Sequence, residues 1–253
     1  MSQTKTLIAA VVGIVIGGAA ATATGLGGSG SGSDMSRAEV ETIIREYISA
    51  NPTVIVDSLQ KWQADQQKAR VMGASEALKD PDLRKAIYEN PDVPFIGPAD
   101  AKAVIVEFFD YNCPACKVAF KAIDELRAKD KNVKIIFKEF PIFGPQSDMN
   151  SKIGLAVHRL APEKYFDFHA KMMNFEGRAD EAQALTFVKE IGLDPEKVKA
   201  ELAKPDYDAM IAKAREVGAR LNIQGTPTLI IGDELVPHAL DYQGLEERVS
   251  PLR

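Results

Sequence analysis

The spacing of apolar side chains predicts two helices near the start of the folded part of the chain. The first begins at Ser36, because Ser36 and Glu39 form a capping box and apolar residues then recur at helical spacing. It ends at Asn51-Pro52, since the residue before a proline disfavours helical geometry. The second helix is apolar at first and largely polar from Lys61 to Arg70. The apolar positions of the two helices are Val40, Ile43, Ile44, Tyr47, Ile48, Ile55, Leu59 and Trp62.

These two apolar stripes need a partner surface. We interpret residues 36–62 as a self-association surface, because a long polar stretch is atypical of a helix that lies flush against a core. The alternative is that both helices pack on the domain that follows. Residues 36–92 are accordingly predicted to be an N-terminal helical stalk that serves oligomerisation.

After residue 101 the pattern changes to short runs rich in β-branched and aromatic residues. Strands are predicted at Ala103–Phe109 and Val133–Phe140, with a helix between them that begins at Cys113. This order is a βαβ unit with a parallel pair of strands.

A long helical segment then separates this unit from the remaining strands. Residues 147–221 show helical patterns throughout, without a strand signal. The strand pattern returns at residues 228–236 as a hairpin that turns at Gly232-Asp233, and a last helix follows. The fold class is therefore α/β, with a domain at residues 93–253 that carries a helical insertion at about residues 145–221.

The first residues indicate export. Lys5 precedes an uncharged apolar run from Leu7 to Ala20, and Ala21-Thr22-Ala23 resembles a signal-peptidase site. The run is slightly short for a membrane span of about 20 residues, although apolar residues continue to Leu26. Residues 1–24 are predicted to be a signal peptide or a membrane anchor, the latter through residues 7–23, and residues 25–35 a flexible Gly/Ser linker.

Composition narrows the function. The net charge of −5, with acids and bases interspersed, gives no basic face for nucleic acid. Only two cysteines occur, Cys113 and Cys116, which excludes a disulfide framework. A structural zinc site usually needs four ligands, and His158, His169 and His238 lack ligand spacing. Redox chemistry of the cysteine pair, without a cofactor, is the leading interpretation.

The C-x-x-C segment supports that chemistry. A cysteine in the first turn of a helix meets unpaired N–H groups and the positive end of the helix dipole, so Cys113 is predicted to be the attacking thiolate. Cys116 lies one turn on and deeper, as a resolving sulfur. Pro114 suits the first helical turn, where its missing donor has no helical partner, and Ala115 adds neither bulk nor charge.

These features together resemble a known family. A strand that ends in Val-Glu-Phe-Phe, a C-x-x-C that opens a helix, and Gly225-Thr226-Pro227 before a hairpin are similar to the thioredoxin superfamily. The helical insertion makes the chain DsbA-like. The segments Phe-Phe-Asp-Tyr-Asn-Cys-Pro-Ala-Cys and Phe-Lys-Glu-Phe-Pro, with the helices from Ser36, resemble the subgroup of the suppressor-of-copper-sensitivity protein ScsC.

The resemblance implies roles for further residues. Glu107 matches the buried acid that assists proton transfer to and from the resolving cysteine, and the alternative is an acid at a strand end that faces solvent. Pro227 matches the cis-proline beside the active-site cysteines, where the preceding backbone pairs with substrate. Thr226 resembles the isomerases and reductases of this group more than the strong oxidase. Pro114 and Ala115 are also expected at the substrate-binding surface.

The resemblance also implies an activity and partners. The leading hypothesis is a periplasmic disulfide isomerase or reductase that acts on misfolded exported proteins, either free or anchored to the inner membrane. It would assemble as a trimer through residues 36–62 and depend on a membrane redox partner. Alternatives are a net dithiol oxidase, and a copper-tolerance protein that binds Cu(I) at Cys113 and Cys116.

Overall fold

The computed structural model describes residues 35–204 and 206–253. The signal peptide or anchor predicted over residues 1–24, and nearly all of the predicted linker, lie outside the described residues. Within the described part of the chain, no helix combines the length and the apolar character that crossing a membrane requires. The chain divides into two compact units, and the boundary along the sequence falls between Ser58 and Leu59.

The first unit holds helix α1 (Arg37–Ala50) and the start of helix α2 (Thr53–Ala77). The predicted capping box is present, since the Ser36 hydroxyl accepts from the Glu39 N–H at 3.3 Å while the Glu39 carboxylate accepts from the Ser36 N–H at 2.8 Å. No residue of α1 is buried. The large apolar side chains exposed in this unit include Val40, Ile43, Ile44, Val54, Ile55 and Val56.

The second unit is built on one mixed sheet. Its strands are β1 (Phe95–Ile96), β2 (Ala103–Phe109), β3 (Val133–Glu139), β4 (Thr228–Ile231) and β5 (Glu234–Val236). They lie in the order β1-β3-β2-β4-β5, and β2 and β3 are the parallel pair. Both predicted central strands and the hairpin are confirmed, and β1, which pairs antiparallel with β3, adds an edge that the pattern did not predict.

Helices cover both faces of this sheet. Helix α4 (Pro114–Lys129) and helix α10 (Tyr242–Val249) cover the face towards which Ile105 and Phe109 point. The end of α2, helix α3 (Pro81–Tyr88) and the end of helix α9 (Asp206–Arg220) cover the other face. Alternate residues of a strand point to opposite faces, so β2 is buried on both sides. This double burial explains its continuous apolar run.

The predicted helical insertion is confirmed between β3 and β4. It comprises α5 (Pro145–Leu160), α6 (Tyr165–Asn174), α7 (Glu181–Glu190), α8 (Pro195–Leu202) and α9, with a short 3-10 turn at Pro162–Lys164. The α/β architecture is thus a βαβ unit, a helical insertion and a ββα unit, preceded by N-terminal helices.

The N-terminal helices are not uniform in burial. Trp62 and Leu59 of α2 are more than half exposed, at 58% and 51%. Ala74 near the other end of the helix and Leu78 just after it are, by contrast, buried against the sheet with Leu83 of α3. The end of α2 and the residues just after it therefore pack on the domain that follows, while self-association through residues 36–62 stays a prediction.

Candidate functional site

The two cysteines lie where β2 meets α4. The strand ends at Phe109, and the Cys113 N–H donates to the carbonyl oxygen of Asp110 at 3.1 Å, which closes the turn between them. Cys113 is the N-cap residue of α4, and Pro114 occupies its first turn. The sulfur of Cys113 therefore lies at the positive end of the helix.

The environment of Cys113 favours its thiolate. Hydrogen bonds from the Cys116 thiol, from Thr226 and from the N–H groups of Cys116 and Ala115 outweigh the effect of burial. Together they lower the pKa of Cys113 from 9.0 to about 6. As a thiol, Cys113 donates to the Thr226 carbonyl oxygen at 3.2 Å. At neutral pH the thiolate predominates, and this is the form that attacks disulfides.

Cys116 has the opposite character. Its side chain is fully buried, and desolvation raises its pKa far above the ordinary value. The hydrogen bond to Cys113 and the neighbouring Glu107 act in the same direction. One sulfur of the pair is thus ready to attack while the other keeps its proton, and both cysteines are free.

Glu107 lies beneath the cysteine pair. Its position in β2 between Ile105 and Phe109 directs it to the face that α4 covers, and it is fully buried. Neither carboxylate oxygen has a hydrogen-bond partner among the described residues. Desolvation, with the charge of Cys113, raises the pKa of Glu107 to about 8. A carboxyl group with this pKa can hold or release a proton at neutral pH.

The loop before β4 completes the site. The Thr226-Pro227 peptide bond is cis, and the Thr226 carbonyl oxygen lies against the Cys113 sulfur. The Thr226 hydroxyl is buried beside this sulfur, whose thiolate it stabilises. Pro114 and Ala115, by contrast, are exposed beside the reactive sulfur. The structure thus brings together all seven residues predicted for the site, Glu107, Cys113, Pro114, Ala115, Cys116, Thr226 and Pro227.

Asp110 was not predicted, and it fixes the active-site turn. Its fully buried carboxylate accepts from the Asn112 N–H at 2.7 Å and the Ser147 hydroxyl at 2.8 Å. Its other oxygen accepts from the N–H groups of Ile142 and Phe143 at 2.7 and 3.1 Å. One carboxylate therefore joins the turn before Cys113 to the loop after β3.

Two more neighbours of the cysteines bind the helical insertion. The Asn112 side chain donates to the Ala179 carbonyl oxygen at 3.1 Å and accepts from the Ala179 N–H at 2.8 Å. The ammonium of Lys117 donates to the carbonyl oxygens of Phe175 and Gly177. In the sequence, only their position beside the C-x-x-C segment points to a role for Asn112 and Lys117. Their hydrogen-bond partners lie about 60 residues away, so no local pattern predicts these contacts.

A second buried carboxylate lies at the end of β3. Glu139 accepts from the Tyr111 hydroxyl at 3.0 Å and the Tyr165 hydroxyl at 3.3 Å, and burial raises its pKa well above the ordinary value. Gly154 of α5 faces this cluster, where a Cβ would lie 2.7 Å from the Tyr111 hydroxyl and 2.8 Å from the Glu139 carboxylate. Glycine thus allows α5 to approach the residues that precede the cysteines.

The side chains at this site are those of a redox-active dithiol. Among residues 35–204 and 206–253, no three side chains of His, Cys, Asp or Glu are grouped to hold a metal ion. What the residues provide is a nucleophilic sulfur, a second sulfur within hydrogen-bond reach and a carboxyl group that titrates near neutrality.

Comparison with known proteins gives matches over both parts of the chain. Residues 89–250 match the family described as Thioredoxin, and residues 37–69 match the copper resistance protein ScsC N-terminal domain. The catalytic domain of Proteus mirabilis ScsC is 31% identical, with a TM-score of 0.64 over 70% of this chain and 97% of that one.

Two further relatives extend the comparison. A periplasmic thioredoxin-like protein from Salmonella enterica serovar Typhimurium is 27% identical, with a TM-score of 0.63 over 68% of this chain and 96% of that one. Disulfide bond formation protein D of Bacillus subtilis (strain 168) is 29% identical over 62% of this chain and 75% of its own length. With a cysteine pair at the start of α4 and a helical insertion in the sheet, the chain belongs to the thioredoxin family, in the group of ScsC and DsbA-like thiol-disulfide oxidoreductases.

Proposed function

We propose that the protein is an exported disulfide isomerase and reductase that acts on misfolded proteins in the periplasm. The observation that carries this proposal is that the two cysteines have opposite pKa shifts. The thiolate is favoured at Cys113 and the thiol at Cys116. A stable thiolate allows repeated attack on substrate disulfides at neutral pH. The similarity to a periplasmic thioredoxin-like protein supports the compartment.

The chemistry is an exchange of sulfur bonds. The Cys113 thiolate attacks a substrate disulfide, so that a Cys113–substrate disulfide forms and the other substrate sulfur leaves as a thiolate. In isomerisation that substrate thiolate, or another, attacks the substrate sulfur of the mixed disulfide and regenerates the Cys113 thiolate. In reduction Cys116 attacks Cys113 instead, the substrate leaves with two thiols, and the pair becomes a disulfide. The buried Glu107, whose charge acts on Cys116, would accept the Cys116 proton in that step.

Refolding of a scrambled protein tests the isomerase activity. Supplied in reduced form at neutral pH, the protein is expected to reactivate scrambled ribonuclease catalytically, because the Cys113 thiolate is already formed. Recovery of ribonuclease activity against time is the measurement, and protein with its thiols blocked by iodoacetamide is the control. Activity no higher than that of the blocked protein would contradict the proposal.

A net oxidase is the second candidate, and the similarity to disulfide bond formation protein D favours it. In that case the pair would donate its disulfide to reduced substrates and be reoxidised by a membrane partner. The redox state of the pair in cells separates the two, because an oxidase is kept as the disulfide and an isomerase as the dithiol. Alkylation of cell samples reads that state.

A role in copper tolerance is the third candidate, since residues 37–69 match a domain described by copper resistance. Two close thiolates suit Cu(I), so the site would rest on Cys113 and Cys116. The low pKa of Cys113 supports a metal ligand and a nucleophile equally. Trapping of mixed disulfides distinguishes the two functions, because a protein that only binds copper does not form them with substrates.

Self-association through residues 36–62, as a trimer, belongs to this proposal. Ile44 of α1 is 51% exposed, as is Ile55 of α2, and fully burying such a side chain stabilises an assembly by about 1.5 to 3 kcal/mol. Several reactive cysteines around one substrate would favour isomerisation, because each can attack a different disulfide of the same molecule.

A charged side chain in the apolar stripe of α1 is expected to dissociate the proposed oligomer. Ile44→Glu places a carboxylate where an apolar contact is proposed, and at least a tenfold weaker association is expected from a loss of about 1.4 kcal/mol. Thr42→Glu, at an exposed polar position of α1, is the matched control. Sedimentation equilibrium gives the subunit number, and an equal mass for Ile44→Glu and the unmodified protein would exclude this surface.

A further inference from the structure

A groove lies beside the candidate site and has no role in the exchange chemistry. Helix α2 forms one wall and the loop at residues 221–226 forms the other, with a cavity volume of about 490 Å³. We call it the α2 groove. It is lined, among others, by Trp62, Gln66, Arg70, Asn222 and Gln224. A second cavity of about 250 Å³ shares the last three of these residues and reaches Thr226.

The charge of the α2 groove is positive and partly uncompensated. No Asp or Glu lines either cavity among the described residues, and the charged lining residues are Arg70 and Arg220. Arg220 pairs with Asp80 at 2.6 Å. The Arg70 guanidinium donates to the neutral amide oxygen of Gln224 at 2.6 Å, and no carboxylate lies within ion-pair distance among residues 35–204 and 206–253. The α2 groove therefore carries a positive charge at Arg70 that no carboxylate neutralises, although the net charge of the chain is −5.

The loop that holds Thr226 connects the α2 groove to the reactive centre. Gln224, which holds Arg70, precedes Thr226 by two residues, and the Thr226 carbonyl oxygen contacts the Cys113 sulfur. Two residues of extended chain span about 7 Å. A substrate segment bound along the Thr226 loop would therefore place the side chains two or three residues from its cysteine near Arg70.

The far end of the groove adds an aromatic contact. Trp62 and Arg70 are eight residues apart on α2, which is about 12 Å along the helix. An extended polypeptide covers that distance with about four residues. Between the two, Gln66 and Asn222 offer amide groups that suit a peptide backbone.

We propose that the α2 groove binds the polypeptide segment next to the substrate cysteine and selects acidic segments through Arg70. The inference rests on the proposed function, which it deepens by naming a class of substrate. Arg70 pairs with a substrate carboxylate while the bond to Gln224 holds the guanidinium beside the reactive centre.

Matched peptides test the selection. Each peptide carries one cysteine in a disulfide with 5-thio-2-nitrobenzoate, and Glu, Gln or Lys at the second and third positions on both sides. Attack by the Cys113 thiolate forms a Cys113–peptide disulfide and releases the coloured thiolate. We expect the acidic peptide to react about threefold faster than the Gln peptide, an advantage that high salt removes.

Variants of α2 show whether Arg70 selects acidic peptides or only positions the Thr226 loop through Gln224. Arg70→Gln is expected to abolish the preference without slowing the Gln peptide. Lys68→Gln removes the same charge from an exposed position two residues away, which helical geometry turns to another side of α2, and should retain the preference. Equal rates for acidic and Gln peptides with the unmodified protein would overturn the proposal, as would equal slowing of all peptides by Arg70→Gln.

A binding measurement keeps this test independent of the exchange reaction. Trp62 is the sole tryptophan of the chain and lines the α2 groove, so its fluorescence reports occupancy when the titration is made in the Ile44→Glu background, where association through residues 36–62 is weakened. Titration with a cysteine-free acidic peptide is expected to change that fluorescence, with about threefold weaker binding to Arg70→Gln. No change with the acidic peptide would overturn the groove proposal. Failure of every disulfide peptide to react, with the fluorescence change intact, would instead overturn the proposed function.

Discussion

Cys113→Ser is expected to abolish thiol-disulfide exchange, because a serine hydroxyl is not ionised at neutral pH and cannot replace the thiolate. Cys116→Ser is expected to retain the first step and lose the second. The mixed disulfide between Cys113 and a substrate should then accumulate, since the sulfur that resolves it is missing. Non-reducing electrophoresis of the protein after incubation with a disulfide-bonded substrate measures both outcomes.

The rate of the first step should follow the titration of Cys113. Modification of Cys116→Ser by iodoacetamide is expected to rise with pH around a midpoint that stays well below the ordinary 9.0, and to level off above it. Because a serine hydroxyl can donate to Cys113 in place of the Cys116 thiol, the midpoint of this variant should stay close to the value of about 6 of the unmodified protein. Absence of mixed disulfides from Cys116→Ser would contradict exchange as the function and favour the copper alternative.

The low pKa of Cys113 also bears on the direction of electron flow. Because the pKa of Cys113 is lowered to about 6, the reduced protein gains stability as the pH rises from 6 to the ordinary thiol pKa of 9.0. Above 9.0 the gain is complete and stays constant. A stabilised dithiol makes the disulfide more oxidising. Such a pair remains reduced in a cell only if a partner supplies electrons, which is why the isomerase proposal includes a redox partner.

The parts of the fold that follow from local pattern were predictable. The continuous apolar run of β2 signals a strand buried on both faces, and the Gly232-Asp233 turn with its flanking strands signals the hairpin. The cysteine at the start of α4 was likewise apparent from the residues themselves. Glu107 and Pro227 required the resemblance, because single acids in strands and single prolines in loops are common in proteins that carry out no redox chemistry.

Other features depend on contacts between distant segments, which single-sequence patterns do not reveal. Asp110, Asn112 and Lys117 bind partners between 32 and 67 residues away, so nothing local marks their roles. Strand β1 has two residues, too few to show alternation. The position of Arg70 beside Gln224 links residues 154 apart, and the largely polar sequence of this part of α2 gave no indication of a groove.

Glu107→Gln is expected to stabilise the protein above pH 5. In the folded state Glu107 titrates at about 8, against an ordinary 4.5, so the folded form binds its proton more tightly than the unfolded form does. This contribution to stability is fully present below pH 4.5 and is lost as pH rises through 8. Since each pKa unit corresponds to 1.36 kcal/mol, the loss is on the order of 4 kcal/mol by pH 8.

A neutral glutamine removes this dependence and keeps the volume. Against the unmodified protein, the free energy of unfolding at pH 7.5 is expected to be about 3 kcal/mol higher, after allowance for a buried amide without a partner. Urea unfolding at a series of pH values measures the difference, which should vanish near pH 5. Glu125→Gln, at a half-exposed position of α4, is the control and should change stability by less than about 0.5 kcal/mol at any pH.

The same substitution separates stability from function. If Glu107 accepts the Cys116 proton, Glu107→Gln should slow release of substrate from the mixed disulfide by about tenfold or more while the first attack by Cys113 is little changed. Single-turnover kinetics with a disulfide peptide resolves the two steps. A stabilised variant that releases substrate at the normal rate would show that the buried carboxyl group is not the proton acceptor. The expected combination is a more stable protein that turns over more slowly, which would explain why an unpaired acid is kept beneath the cysteines despite its cost.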